Sequence, residues 1–164
     1  VKSLGPLFDE FRIMRLMSSA KGTYYLDTAS ETDPIRYTRM IGGKRETPII
    51  VDIDFGKWNA HPYIAPDESY LIWDEQDDNS YGGADLFILF RQEDDSWGPA
   101  TNLGETINTS ASENGAIVTP DGKCLFFNRY VDEKNAGMYW VDAGFIETLR
   151  SQSLANAPKD VTAH

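Results

Sequence analysis

The stretch His61-Pro62-Tyr63-Ile64-Ala65-Pro66-Asp67-Glu68-Ser69-Tyr70-Leu71-Ile72-Trp73 decides the fold, because it recurs. Pro120 follows Pro66 by 54 residues, inside Gly115-Ala116-Ile117-Val118-Thr119-Pro120-Asp121-Gly122-Lys123-Cys124-Leu125-Phe126-Phe127. Both segments run from a small or apolar stretch through Pro-Asp into four apolar residues. Pro presets φ and Asp closes its own turn, while Gly accepts a positive φ. The turn therefore joins two antiparallel strands in each segment. The second strand is apolar at successive positions, as in a strand covered on both faces. A stack of small sheets provides such cover.

The repeat extends outward from this core. Ala84-Asp85-Leu86-Phe87-Ile88 and Ala136-Gly137-Met138-Tyr139-Trp140 supply a third strand at a spacing of 52. A weaker upstream copy runs from Ala20 to Leu26, with Lys21-Gly22-Thr23 where Pro-Asp-Gly stands elsewhere, and continues through Asp33–Arg39. Ser96–Gly104 and Arg45–Val51 read as outer strands, where proline's missing N–H is harmless. Four strands per repeat of this length describe a β-propeller blade, so the expected class is all-β. A short helix is expected at about 143–153, where Phe145, Ile146 and Leu149 share one face.

The Pro-Asp segments, Gly82-Gly83-Ala84-Asp85-Leu86-Phe87, Ser96-Trp97-Gly98-Pro99 and the ending Met138-Tyr139-Trp140-Val141-Asp142-Ala143 resemble the WD-like repeats of TolB-like bacterial β-propellers. The resemblance spans about residues 15–150 and is most specific over 57–149. It implies a fold usually of six blades. Its members include periplasmic protein-binding proteins and companions of peptidase domains. It transfers a fold and no catalytic residue. A periplasmic or exported location is suggested by the resemblance alone, as Val1–Pro6 lacks a signal peptide's apolar core.

The expected organisation is a three-bladed unit over residues 1–154, with blades at about 11–54, 55–107 and 108–142. A tail is expected at 155–164. The third repeat lacks an outer strand, whereas Ser3-Leu4-Gly5-Pro6-Leu7-Phe8-Asp9 resembles the blade exit Asn102-Leu103-Gly104-Glu105-Thr106-Ile107-Asn108. Residues 1–9 are accordingly expected as a strand that completes a last blade. Three blades fall short of a ring. A head-to-tail homodimer of three plus three blades closes one, and a fragment of a longer propeller is the alternative.

Composition narrows the partners. The 26 acidic residues against 15 basic ones give a net charge of −11, which disfavours nucleic acid and an anionic membrane surface. No apolar run is long enough to insert in a membrane. The single cysteine, Cys124, has apolar neighbours and is expected as a buried small hydrophobe.

Loops that lead into innermost strands converge at a propeller's channel mouth. The corresponding segments are Met14–Met17, Ala60–Tyr63 and Asn114–Ile117, and Arg15, His61, Tyr63 and Asn114 are the expected ligand contacts. Trp58 is a further aromatic near an inner strand. The acidic loop Asp74-Glu75-Gln76-Asp77-Asp78 suggests Ca²⁺ through Asp74, Asp77 and Asp78, although its spacing is not that of an EF-hand. No catalytic residue is assigned, and neither Gly-x-Ser-x-Gly nor His-Glu-x-x-His occurs. The expected function is a non-enzymatic binding or protein-interaction module for a protein, peptide or glycan. A hydrolase acting on a glycan or peptide in the channel and a purely structural oligomerisation unit are the alternatives.

Overall fold

The computed structural model describes residues 1–28 and 33–156. It is mostly β, with four antiparallel sheets and one C-terminal helix. The first sheet has the order β1 (Ile13–Ser18), β2 (Tyr24–Thr28), β3 (Arg36–Thr38), β6 (Ile49–Ile50). A two-stranded hairpin, β4 (Met40–Ile41) and β5 (Lys44–Arg45), interrupts the path from β3 to β6. The second sheet takes β7 (Lys57–Ile64), β8 (Tyr70–Gln76), β9 (Asp85–Phe90) and β10 (Thr101–Asn102) in sequence order. The third holds β11 (Ser112–Val118), β12 (Cys124–Asp132) and β13 (Asn135–Asp142), and helix α1 spans Phe145–Asn156.

The turn chemistry explains the hairpins. Asp67 accepts the Ser69 N–H, and Asp121 accepts from Lys123 N–H and Thr119 Oγ1. The third turn residue has a positive φ in each: 80° at Gly22, 64° at Glu68 and 72° at Gly122. Glu68 is the departure, since a side chain there is strained. Its carboxylate reaches the neighbouring sheet and accepts a 2.6 Å hydrogen bond from Ser19 Oγ. Ala20 N–H also donates to Pro66 O, so the two turns are joined by backbone and side chain.

Strand alternation assigns each sheet two faces. Cross-strand partners form a row Met17–Tyr25–Tyr37 in the first sheet and Tyr63–Ile72–Ile88 in the second. The corresponding row of the third sheet is Ile117–Phe126–Trp140. The first row packs in a core with Ile64, Leu71, Trp73 and Leu89 from the opposite face of the second sheet. The second packs against Val118, Leu125 and Phe127 of the third. Each fully buried Ile or Leu here contributes about 1.5–3 kcal/mol. Helix α1 closes the second core with Ile146, flanked by Phe145 and Leu149.

Among the described residues, nothing lies over Trp140 and Ile117 of the third row. Trp140 is 63% and Ile117 44% exposed. The consecutive apolar residues of β8 and β9 are covered on both faces as expected, but those of β13 are not. Cys124 shares the open face with Phe126 and is half-buried, not buried, for the same reason. Residues 1–9, expected as a strand, instead hold a 3-10 turn at Pro6–Phe8, because a strand needs an edge to pair with. Helix α1 starts later than expected and ends at Asn156; the rest of the expected tail and His164 lie outside the described residues.

Because Glu68 trades strain for a link between sheets, its substitutions should separate the two terms. Glu68→Ala is expected to destabilise by about 1 kcal/mol more than Glu68→Gly, since only Gly relieves the positive φ. Both should lie below the parent chain in urea unfolding, as each removes the Ser19 hydrogen bond.

Candidate functional site

The first strands of the three sheets, β1, β7 and β11, each carry an irregularity next to the residue that pairs with Asp27, Asp74 or Asn128: before it in β1 and after it in β7 and β11. The pairing shifts between Ile13 and Arg15, between Ala60 and Tyr63, and between Asn114 and Ile117. A bulge frees backbone groups from the ladder and re-aims side chains. Here the freed N–H groups go to buried carboxylates. Asp27 of β2 is fully buried and accepts the Arg15 N–H at 2.8 Å through Oδ1 and the His61 N–H at 2.5 Å through Oδ2. Asp74 of β8 accepts the Gly115 N–H at 2.9 Å. Each carboxylate therefore binds the bulge of the following sheet.

His61 occupies a strained backbone position, with φ at 50°. Gly115, its counterpart in β11, has φ at 67°, and a side chain there would press on Asn128 Nδ2 at 3.0 Å. The His61 ring is held as firmly as its backbone. Nδ1 lies 3.0 Å from both carboxylate oxygens of Asp74. An ionised carboxylate only accepts, so Nδ1–H donates and Nε2 is the nitrogen left for other partners. The side chain remains 29% exposed. The Asp74 hydrogen bond raises the His61 pKa above 6.5, helped by the Asp74 and Asp27 charges and opposed by burial and Arg15.

Arg15 completes the cluster from the other side. Its Nη2 donates to the Ala116 carbonyl at 3.2 Å, so it spans from the first sheet to the third. Burial pushes its pKa down, against the attraction of Asp74 and Asp27. The result is a group of two acids and two bases where the edge strands β1, β7 and β11 of the three sheets meet. Both carboxylates are already engaged by N–H donors. Arg15 and His61 are the members with a cationic or donor function to offer a ligand.

Of the four expected contacts, the structure brings Arg15 and His61 together. Asn114 is half-buried beside them, opposite Asn128. Tyr63 does not join: it is 5% exposed and packs in the core, its ring 6.2 Å from Tyr70. The bulge turns Tyr63 to the face that meets the third sheet. Asp27 escaped the sequence reading. Its signal was the shared position of Asp27 and Asp74, each near the end of the second strand of its repeat.

The acidic loop does not converge. Asp74 faces His61, Asp77 accepts the Asp78 N–H, and Asp78 pairs with Lys57 at 2.6 Å. Among the described residues no group of three His, Cys, Asp or Glu side chains is placed to hold a metal ion. Trp58 is 51% exposed on β7, with φ at 52°.

The raised pKa of His61 sets a pH window. Protonated His61 stabilises the fold fully below about pH 6.5, its unfolded value. That contribution is lost as pH rises through the higher folded pKa. NMR titration of the His61 ring should give a midpoint above 6.5, and His61→Asn should remove this part of the pH dependence of urea unfolding. No family model and no curated protein matches this chain.

Proposed function

We propose that the three sheets are blades of a TolB-like β-propeller and that the chain is a non-enzymatic binding module. The observation that carries this reading is the convergence of three bulged inner strands on one polar cluster. Arg15 and His61 are held there by buried acids, with His61 strained and partly exposed. Strain of this kind, about 1–2 kcal/mol, persists where surrounding structure enforces it and concentrates at functional positions. The ligand is a peptide or glycan, neutral or basic overall, that brings carbonyl or hydroxyl acceptors to Arg15 and His61, since the chain's net charge of −11 repels anions at long range.

One observation favours a hydrolase as the second reading. A histidine oriented through Nδ1 by a buried carboxylate is prepared to accept a proton at Nε2. The two-carboxylate form of that chemistry is less suited, because Asp27 and Asp74 are both taken up by backbone N–H groups. Binding without turnover separates the readings.

The test is a calorimetric and thermal-shift survey of neutral oligosaccharides and basic peptides on the parent chain, His61→Asn and Arg15→Gln. Asn is chosen because it tolerates a positive φ. A ligand of this site should raise the melting temperature and lose about tenfold or more in affinity in each variant. A ligand indifferent to both substitutions would move the site elsewhere, and a flat survey would count against binding. Hydrolysis abolished by His61→Asn would favour the second reading.

A further inference from the structure

The sheet-to-sheet interface occurs twice in the chain, and its two halves are both presented again at the outer sheets. The forward row is covered in the first and second sheets but open in the third, at Ile117 and Trp140, with Phe126 half-buried between them. Met138 shares that face and is 69% exposed, whereas its counterparts Ile35 and Leu86 are fully buried. Among the described residues no fourth strand pairs with the edge of β13, while β9 carries β10.

The complementary half sits at the start of the chain. Between the second and third sheets the connection runs through Asn102, Gly104, Ile107 and Asn108. Asn102 Oδ1 accepts the Gly104 N–H, Ile107 N–H donates to Gly104 O at 3.0 Å, and Ile107 is buried. The N-terminus repeats each contact. Ser3 Oγ accepts the Gly5 N–H, Phe8 N–H donates to Gly5 O at 3.0 Å, and Phe8 is 6% exposed beside Tyr24 on the backward face of the first sheet. Residues 3–8 thus already have the shape of a segment arriving from the outer strand of a preceding sheet.

One further contact shows what that preceding sheet must provide. Asn108 Oδ1 accepts the Leu86 N–H at the start of β9, and Asn59 Oδ1 accepts the Ile35 N–H leading into β3. Asp9 follows Phe8 as Asn108 follows Ile107, and it is exposed. The corresponding N–H is that of Met138 on β13.

We propose that a second copy of the chain is the occupant. The first sheet of one copy, with the Pro6–Phe8 turn on it, packs on the Ile117–Phe126–Trp140 row of its partner. Residues 2–4 lie along the partner's β13 as a fourth strand, and Asp9 accepts the Met138 N–H. The contact is heterologous, and two of them close six sheets about a twofold axis, within the usual range for a propeller. This inference rests on reading the sheets as blades.

Light scattering and sedimentation of the full chain test it over about 1–100 µM, concentrations that span an ordinary dimer affinity. The expected mass is twice that of one chain. Trp140→Glu and Met138→Glu alter residues outside the chain's own cores, so their circular dichroism should match the parent. Each should weaken the dimer by about 30-fold or more, as loss of an interface anchor does. Asp9→Ala should weaken it less. A monomer throughout the range, a dimer indifferent to Trp140→Glu, or a mass that grows without limit would overturn the proposal. A monomer that binds ligand through His61 would overturn it and leave the binding reading standing; a dimer with a flat ligand survey would do the reverse.

Discussion

The structure depends on two buried carboxylates, Asp27 and Asp74. A charge removed from water is costly unless hydrogen bonds replace hydration. Asp27 meets that cost with two backbone N–H groups, and Asp74 meets part of it with the Gly115 N–H and the His61 ring, burial still pushing its pKa up. The bulges and the acids therefore require one another. The bulges leave donors that must be satisfied, and the acids satisfy them across the boundary between sheets. Apolar packing draws the sheets together but is tolerant of sliding. The charge-assisted bonds set the register between sheets, and with it the distance of Arg15 from His61.

The strand plan was legible because its signals are local. Pro66-Asp67 and Pro120-Asp121 make the turns they announce, and Leu71–Trp73 and Leu86–Phe90 are covered on both faces. The hairpin at Met40–Arg45 was missed, being too short to carry a period. The candidate site was half legible. Arg15 and His61 fall where matching of the repeats puts them. Tyr63 lies only two residues beyond His61, yet in the core, because a bulge adds a residue and changes which face follows. No alternation pattern contains that extra residue. Asp74 illustrates the same limit. In the sequence it belongs with an acidic loop, and only the fold turns it toward His61 and Gly115.

Substitution at equivalent positions shows how one repeat becomes specialised. Arg15, His61 and Gly115 each stand two residues before the cross-strand row of their sheet, beside an irregularity of pairing, and His61 and Gly115 lie within it. Gly115 adopts the conformation without strain, whereas His61 adopts it against a preference for negative φ. The turn series Gly22, Glu68 and Gly122 behaves likewise. In both cases the strained residue belongs to the second sheet and uses its side chain to reach another part of the chain: Ser19 for Glu68, and Asp74 for His61.

The Arg15 bond to Ala116 has a kinetic meaning. It joins positions 101 residues apart, while each sheet is a meander of near neighbours. Closing a long loop costs entropy that only later contacts return. Hairpins can form early and independently, but the inner cluster is assembled only after all three sheets have met. Completion of the site thus waits on the docking of the third sheet, and a chain with only the first two sheets docked would hold its histidine on Asp74 while the Arg15 side chain lacked its Ala116 anchor.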